Sequence, residues 1–284
     1  VAAVDENVDT GTSVHTVVAQ DPDTDDILTY TLQNHAQTFA IDSASGVISV
    51  LDNTELNFEA SSSLTLQIAV TDSQGSSQSQ SIELTINDVN EAPSIESSNA
   101  LVEPFTESFA PSSDEVVIRF TVIDPDTNDT LTWLFDGPVD NRFAIDSQSG
   151  DIRVVANASF DFETTANFNL PVKVTDAAGL SDTLSYELTV TDVNESPIAN
   201  DDSASVVNYQ TVTISPLAND SDPDSNPMSI SQATAGNGEL VINPDNTLTY
   251  TPTFNIQSDT ISYTISDGEL TDTATATLDI TAVN

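Results

Sequence analysis

Apolar and polar residues alternate along most of this chain. LTLQIAVT places Leu64, Leu66, Ile68 and Val70 on one face and Thr65, Gln67, Ala69 and Thr71 on the other. FNLPVKVT repeats the arrangement with Phe168, Leu170, Val172 and Val174. SIELTIN and SYELTVT, ending at Asn87 and Thr191, alternate likewise, and so do DTISYTIS and TATATLDI further on. A strict period of two predicts strands with one buried face. Pro171, which has no N–H to give a sheet, predicts that its strand lies at an edge. Short strands separated by Asp, Asn, Pro and Gly turns predict an all-β fold of Greek-key sandwiches. Trp133 falls in such a run and reads as a core or strand-face residue rather than a sugar-stacking platform.

Repetition then divides the chain. DPDT begins at Asp21 and again at Asp124, FAID at Phe39 and Phe143, and VTD followed by Gly at Val70 and Val174. Each FAID is followed by a Ser-Gly pair, Ser45-Gly46 and Ser149-Gly150. INDVNEAP, from Ile86 to Pro93, returns as VTDVNESP, from Val190 to Pro197. Four motifs in one order at a shift of 103 or 104 residues predict two copies of one domain, 1–95 and 96–198. A third unit, 199–284, keeps DPD at Asp222 and SDG at Ser266 but has no FAID block. The expected architecture is three tandem sandwiches forming an extended rod.

Charge changes what this scaffold is expected to do. Against 46 Asp and Glu stand only Arg119, Arg142, Arg153 and Lys173, for a net charge of −42. Nucleic acid and anionic membranes are poor partners for such a chain, because phosphate contact depends on Lys and Arg. Self-repulsion on this scale opposes compaction unless cations neutralise part of it. A salt-adapted soluble surface would account for the acidity, and so would a large set of metal ligands. There is no Cys, hence no disulfide or thiolate site. No apolar run approaches the ~20 residues that span a bilayer, and the sequence reads as part of a longer protein. His15 and His35 are far apart and read as exposed bystanders. No nucleophile elbow, Cys–His pairing or HExxH motif is present, so no enzymatic role is expected.

The repeated connector offers oxygen. Ca²⁺ takes about six to eight oxygen ligands from carboxylates, amides and carbonyls. DVNE supplies Asp88, Asn90 and Glu91 on an extended segment whose side chains splay to different sides, so other loops must complete a site. The candidates are the DPD turn and VTDxxG aspartate of the next domain, and the DEN and LNFE residues of the preceding one. Each motif has a plainer reading beside this one. DPDT is a good type I turn and VTDxxG a good hairpin turn.

Taken together, DEN, DPDTDD, FAIDSASG, LNFE, VTDSQG and DVNEAP resemble, in order, the calcium motifs of the cadherin repeat. The first two units look like bacterial cadherin domains over nearly their full length. The third, with SPLANDSDPDSNPMSI, NPDNTLTYTP and YTISDGELTDTATATLDITAV, resembles the cadherin-like Ig repeats of large bacterial surface proteins. The resemblance implies Ca²⁺ clusters at each junction. For the first it implies Glu6, Asn57 and Glu59 from unit one, Asp88, Asn90 and Glu91 with the Val89 carbonyl from the connector, and Asp124, Asp126 and Asp176 from unit two. For the second it implies Asp161 and Glu163, then Asp192, Asn194 and Glu195, then Asp222, Asp224 and Asp267. Unit two lacks a Glu-Asn pair near its start; Glu107 in FTES is the best substitute, with Glu103 behind it. Asp21, Asp23 and Asp72 match Asp124, Asp126 and Asp176 and would complete a site with a unit before them. Asn57 stands where the family has Asp, and both connectors are one residue shorter than the animal pattern. The implied role is a calcium-rigidified adhesive or spacer segment of a secreted or surface-anchored bacterial protein. Its partners would be the flanking repeats and a cell-surface protein or carbohydrate. The alternative is a carbohydrate-binding module, for which aromatics gathered on one sheet would speak.

Overall fold

A computed structural model describes residues 2–23 and 25–282. Every strand predicted from alternation forms, and no α-helix occurs among the described residues. The three sandwiches follow one another as an extended rod.

In the first, β1 (Ala2–Asp5), β7 (Ser77–Asn87), β6 (Ser63–Thr71) and β3 (Thr29–Leu32) form one sheet in that order; β2 (Ser13–Thr16), β5 (Val47–Val50) and β4 (Phe39–Ile41) form the other. In the second, β10 (Thr132–Phe135), β13 (Asn167–Thr175) and β14 (Ser181–Thr189) face β11 (Phe143–Ile145), β12 (Ile152–Val154), β9 (Glu115–Ile123) and β8 (Ser94–Ala100). In the third, β15 (Asp202–Val207), β21 (Thr271–Thr281), β20 (Ser258–Ser266) and β17 (Ser229–Ala235) face β16 (Val212–Ile214), β19 (Leu248–Pro252) and β18 (Gly238–Ile242).

The inward residues of the long strands build three separate cores. Leu66, Ile68 and Leu84 are fully buried in the first, Leu170, Val172 and Val174 in the second, and Ile261, Ile265 and Leu278 in the third. Trp133 lies in the second core, 4% exposed and stacked on Phe120 with ring centroids 5.6 Å apart. The repeated FAID-Ser-Gly block is a fold element. Asp146 Oδ1 accepts N–H bonds from Gln148 and Ser149, and Asp42 does the same for Ala44 and Ser45. The turn closes on Gly150 at φ +74, where a Cβ would meet the Trp133 ring at 2.6 Å, so only glycine fits.

Two expectations need correction. β13 lies between β10 and β14, so Pro171 is in a central strand. It is tolerated because β10 ends at Phe135, opposite Val172, leaving no strand residue to claim the missing N–H; the Pro171 carbonyl still accepts from Asp136 N. The histidines are half-buried rather than exposed, and His35 Nδ1 lies 3.9 Å from Glu55.

Strand pairing at the unit ends sets up the junctions. β1 runs parallel to β7 and β15 parallel to β21; in unit two a single parallel bridge, Thr106 to Thr191, takes that place. In each unit the residue after the last paired one donates its N–H to the closing strand: Glu6 to Asn87 O, Glu107 to Thr191 O, and Asn208 to Thr281 O.

Candidate metal centres at the two junctions

That pairing drives a glutamate into the end of each of the first two sandwiches. Glu6 is 2% exposed; its Oε1 accepts Val89 N at 2.8 Å and its Oε2 accepts Phe58 N at 2.6 Å. Glu107, 7% exposed, accepts Val193 N at 2.6 Å and Phe162 N at 2.8 Å in the same way. Each thereby ties the connector to the loop before the long central strand. The structure places the charge at Glu107, as FTES suggested, whereas Glu103 lies beside Tyr186.

The connector then reaches the next sandwich. Asn90 Nδ2 donates to Asp176 Oδ2 at 2.8 Å, and Glu91 N to Asp126 Oδ2 at 2.8 Å. At the second junction Asn194 Nδ2 donates to Asp267 Oδ2 at 2.9 Å, and Glu195 N to Asp224 Oδ2 at 2.7 Å. The second DVNE thus reproduces the contacts of the first, although unit three has a different sequence.

These contacts crowd like charges. Carboxylate oxygens of Glu6, Glu59 and Glu91 lie within 4.8 Å of one another, as do those of Glu59, Asp88 and Asp126, of Asp124, Asp129 and Asp176, and of Glu107, Asp161 and Glu163. Burial, then the charges of Glu107, Glu163 and Asp224, push Glu195 up to about 7. Burial, then Asp126 and Glu6, raise Asp88; burial, then Asp224, raise Asp192. Asp267 moves the other way, held below the usual carboxylate range first by the Asn194 amide.

Buried polar atoms are normally hydrogen-bonded. Here Glu91 Oε2, Asp124 Oδ2 and Asp129 Oδ2 at the first junction, and Glu195 Oε2, Asp222 Oδ2 and Asp224 Oδ1 at the second, are buried without a partner. Among the described residues no ion pair reaches these oxygens: Arg119 pairs with Asp151 and Arg142 with Asp140, inside unit two, and Arg142 also feels the charge of Asp161 at the edge of the second cluster. An oxygen-only set of converging carboxylates, with orphaned lone pairs that no described basic side chain pairs with, fits a hard divalent cation such as Ca²⁺.

Most residues expected at the junctions from the sequence converge there. Asn57 is less committed, because its Oδ1 caps the turn at Ala60 N. Val89 enters through its N–H bond to Glu6. Asp21 and Asp72 come together at the opposite end of unit one, with Asp26 rather than Asp23 as third member. Sequence reasoning missed Asp129 and its counterpart Asp26, Asn7, whose amide donates to Glu91 Oε1, and Asn226, whose amide donates to Asn194 Oδ1.

Comparison with known proteins identifies the family. The cadherin domain family matches residues 1–87 and 110–191, more than half of the chain. The chain belongs to the cadherin family. A bacterial Ig domain matches residues 194–281, so this cadherin carries a third unit of a second kind. Cadherin-1 of Gallus gallus is 32% identical over 222 residues, 70% of this chain and 25% of that protein. The Protocadherin-like wing polarity protein stan of Drosophila melanogaster is 34% identical over 206 residues, 68% of this chain and 6% of that protein. This cadherin therefore spans a quarter or less of those relatives. Among solved structures, Protocadherin Gamma B2 extracellular cadherin domains 3-6 superpose with a TM-score of 0.71 at 21% identity, over 98% of this chain and 70% of that one. Mouse Cadherin-23 EC22-24 gives 0.66 at 21% identity, over 99% and 95%.

Proposed function

We propose that this chain is a calcium-stiffened adhesive segment of a large extracellular or cell-surface protein, built of units 1–95, 96–198 and 199–284. The observation that carries the reading is the set of buried, partnerless carboxylate oxygens at both connectors, none of them in an ion pair among the described residues. Ca²⁺ would be held at the first junction by Glu6, Asn57, Glu59, Asp88, the Val89 carbonyl, Asn90, Glu91, Asp124, Asp126, Asp129 and Asp176. At the second it would be held by Glu107, Asp161, Glu163, Asp192, Asn194, Glu195, Asp222, Asp224 and Asp267. When bound, the ion supplies the positive charge that lets these carboxylates stay close. Asp21, Asp23 and Asp72 would serve a unit preceding the first. The bacterial Ig match supports a bacterial surface protein as the setting. The segment's partners would be its flanking repeats and a cell-surface protein or carbohydrate. We prefer adhesion to a dedicated carbohydrate-binding role because Trp133 is buried and the exposed aromatic pair among the described residues, Tyr209 and Phe254, lies on loops rather than on a sheet face.

The test is thermal melting against cation identity. A ligand that binds only the native state stabilises it by roughly 2.7 kcal/mol at a hundredfold excess over Kd, and extracellular modules of this donor type bind Ca²⁺ at ~10⁻⁴–10⁻³ M. The melting temperature should climb with millimolar Ca²⁺ and much less with Mg²⁺, which demands tight octahedral geometry. An equal rise with Mg²⁺ or NaCl would overturn the reading in favour of charge screening.

A further inference from the structure

The far end of unit three occupies the place that bears metal ligands in units one and two, and its donor set does not fit a cation. Each near-side ligand group can be followed from unit to unit through the backbone. The N–H that pairs with the closing strand belongs to Glu6, Glu107 and Asn208 in turn. So the buried glutamate of the first two units is a neutral amide, itself 7% exposed, in the third; its Oδ1 is buried without a partner, but it is one uncharged oxygen where the first two units converge several carboxylates. The loop before the long central strand runs over 51–62 and 155–166 in the first two units and carries Glu59, Asp161 and Glu163. In unit three it shrinks to 253–257, TFNIQ, with Asn255 and Gln257 and no carboxylate. The first connector residue after the closing strand is Asp88, then Asp192, then Ala282. In a chain with 46 acidic residues, all three groups are neutral in the same unit. Of the carboxylates nearby in sequence, Asp279 is a single exposed group on β21, and Asp259 is already used by Tyr250 OH and the Asn237 and Thr260 N–H groups.

What joins the two loops there is a ring contact. Tyr209, next to Asn208, and Phe254, next to Asn255, lie with centroids 5.9 Å apart and are 59% and 74% exposed. Tyr209 and Asn255 both hold φ in the left-handed region, at 68° and 65°, which non-glycine residues adopt at a cost. The corresponding loops of unit one bring Glu6 and Glu59 together, an approach that needs a cation; those of unit three meet through aromatic contact, which does not.

We propose that unit three, unlike units one and two, brings no cation-binding set of its own to its far end, so that calcium stiffens the connectors at 88–91 and 192–195 without acting on that end of unit three. The inference rests on the calcium reading of those connectors, and hydrogen exchange followed by mass spectrometry on the 284-residue protein separates the two. With Ca²⁺ a hundredfold above Kd, segments 57–62, 88–92, 161–166 and 192–196 should exchange up to about a hundredfold more slowly than in chelator. Segments 206–211 and 253–258 should be unchanged. Protection at both connectors and also at 206–211 and 253–258 would overturn the inference alone. No protection anywhere would overturn the junction reading, and this inference with it. The converse arm carries the neutral set of unit three to the second junction, where a following unit is present: Glu163→Gln and Asp192→Ala, with and without Glu107→Asn. Calcium-dependent protection at 161–166 and 192–196 should then be lost while that at 57–62 and 88–92 remains. If it persists in the folded variants, including the one with Glu107→Asn, neutrality is not what excludes the ion, and the inference falls.

Discussion

Asp176 divides its carboxylate between two tasks. Oδ1 accepts the N–H groups of Gly179 and Leu180 and so closes the VTDxxG turn; Oδ2 accepts the Asn90 amide and faces the connector. Asp267 repeats this, with Oδ1 on Glu269 and Leu270 N–H and Oδ2 on Asn194. The turn reading and the ligand reading of this motif are therefore both satisfied by one side chain. Asp176→Asn keeps an oxygen for the turn but removes the charge. It should leave the melting temperature in chelator nearly unchanged and weaken Ca²⁺ about tenfold, roughly 1.4 kcal/mol, by titration calorimetry. Glu195 sets a pH dependence. Its folded pKa, about 7, lies above the ordinary value of 4.5, so the stability it contributes is fully present below about 4.5 and is lost as pH rises through about 7. The carboxylates held low by turn hydrogen bonds, such as Asp146 and Asp245, lose their contribution only in more acidic solution, below 3.8. In chelator, melting temperature should therefore rise as pH falls from 8 to 5; with saturating Ca²⁺ that rise should vanish, because protons then compete with the ion. A pH-independent melt in chelator would mean that the cluster is not strained. Gly150→Ala tests a residue outside the junctions. It forces φ +74 on a side chain that meets Trp133, and should cost about 1–3 kcal/mol in chemical denaturation without altering Ca²⁺ affinity.

At the scale of the element, the connectors were the most legible part of the sequence, because DVNE is spelled twice and its partners recur in register. The strands were legible for the same reason: each has one buried face, and alternation reports it directly. What the sequence hid was which acid of a crowded motif turns inward. DPDTDD and DPDTND both end on an aspartate, and that sixth position, Asp26 or Asp129, joins the cluster, while Asp23 is exposed. The repeated spacing carried this signal, but choosing among neighbouring acids needs the turn's actual path. Asn7 and Asn226 escaped because amides that position carboxylates have no charge signature. Pro171 misled because the edge rule concerns an unpaired N–H, and β10 stops one residue short of it. The two DPD turns allow a comparison inside one molecule. Asp124 lies beneath the first connector, whereas Asp21, with Asp26 and Asp72, meets no connector among the described residues. Asp124→Asn should weaken Ca²⁺ binding and lower the calcium-bound melting temperature, and Asp21→Asn should do little. Equal small effects would make both motifs plain turns, since Asn serves the first turn position about as well as Asp; equal large effects would mean that each unit binds calcium within itself.

At the scale of the whole molecule, the three cores share no buried side chain, so each sandwich is held by its own packing and the connectors alone decide how the sandwiches align. Each connector makes few direct bonds to the next unit, chiefly Asn90 to Asp176 and Glu91 to Asp126, then Asn194 to Asp267 and Glu195 to Asp224. Such bonds sit among mutually repelling carboxylates, and without a cation the repulsion favours bending apart. With strands that rise ~3.3 Å per residue, the longest of which has 11 residues, each sandwich spans roughly 35–45 Å. Three in line then reach well over 100 Å. Small-angle scattering should show this extended maximum dimension, with a narrow distance distribution, in millimolar Ca²⁺. Chelator should broaden the distribution as both connectors become hinges, and Asp124→Asn should free the first while leaving the second stiff. Scattering curves that superpose with and without Ca²⁺ would show that bonds within the connectors suffice to hold the rod, and that the ion contributes stability to each junction without governing its shape.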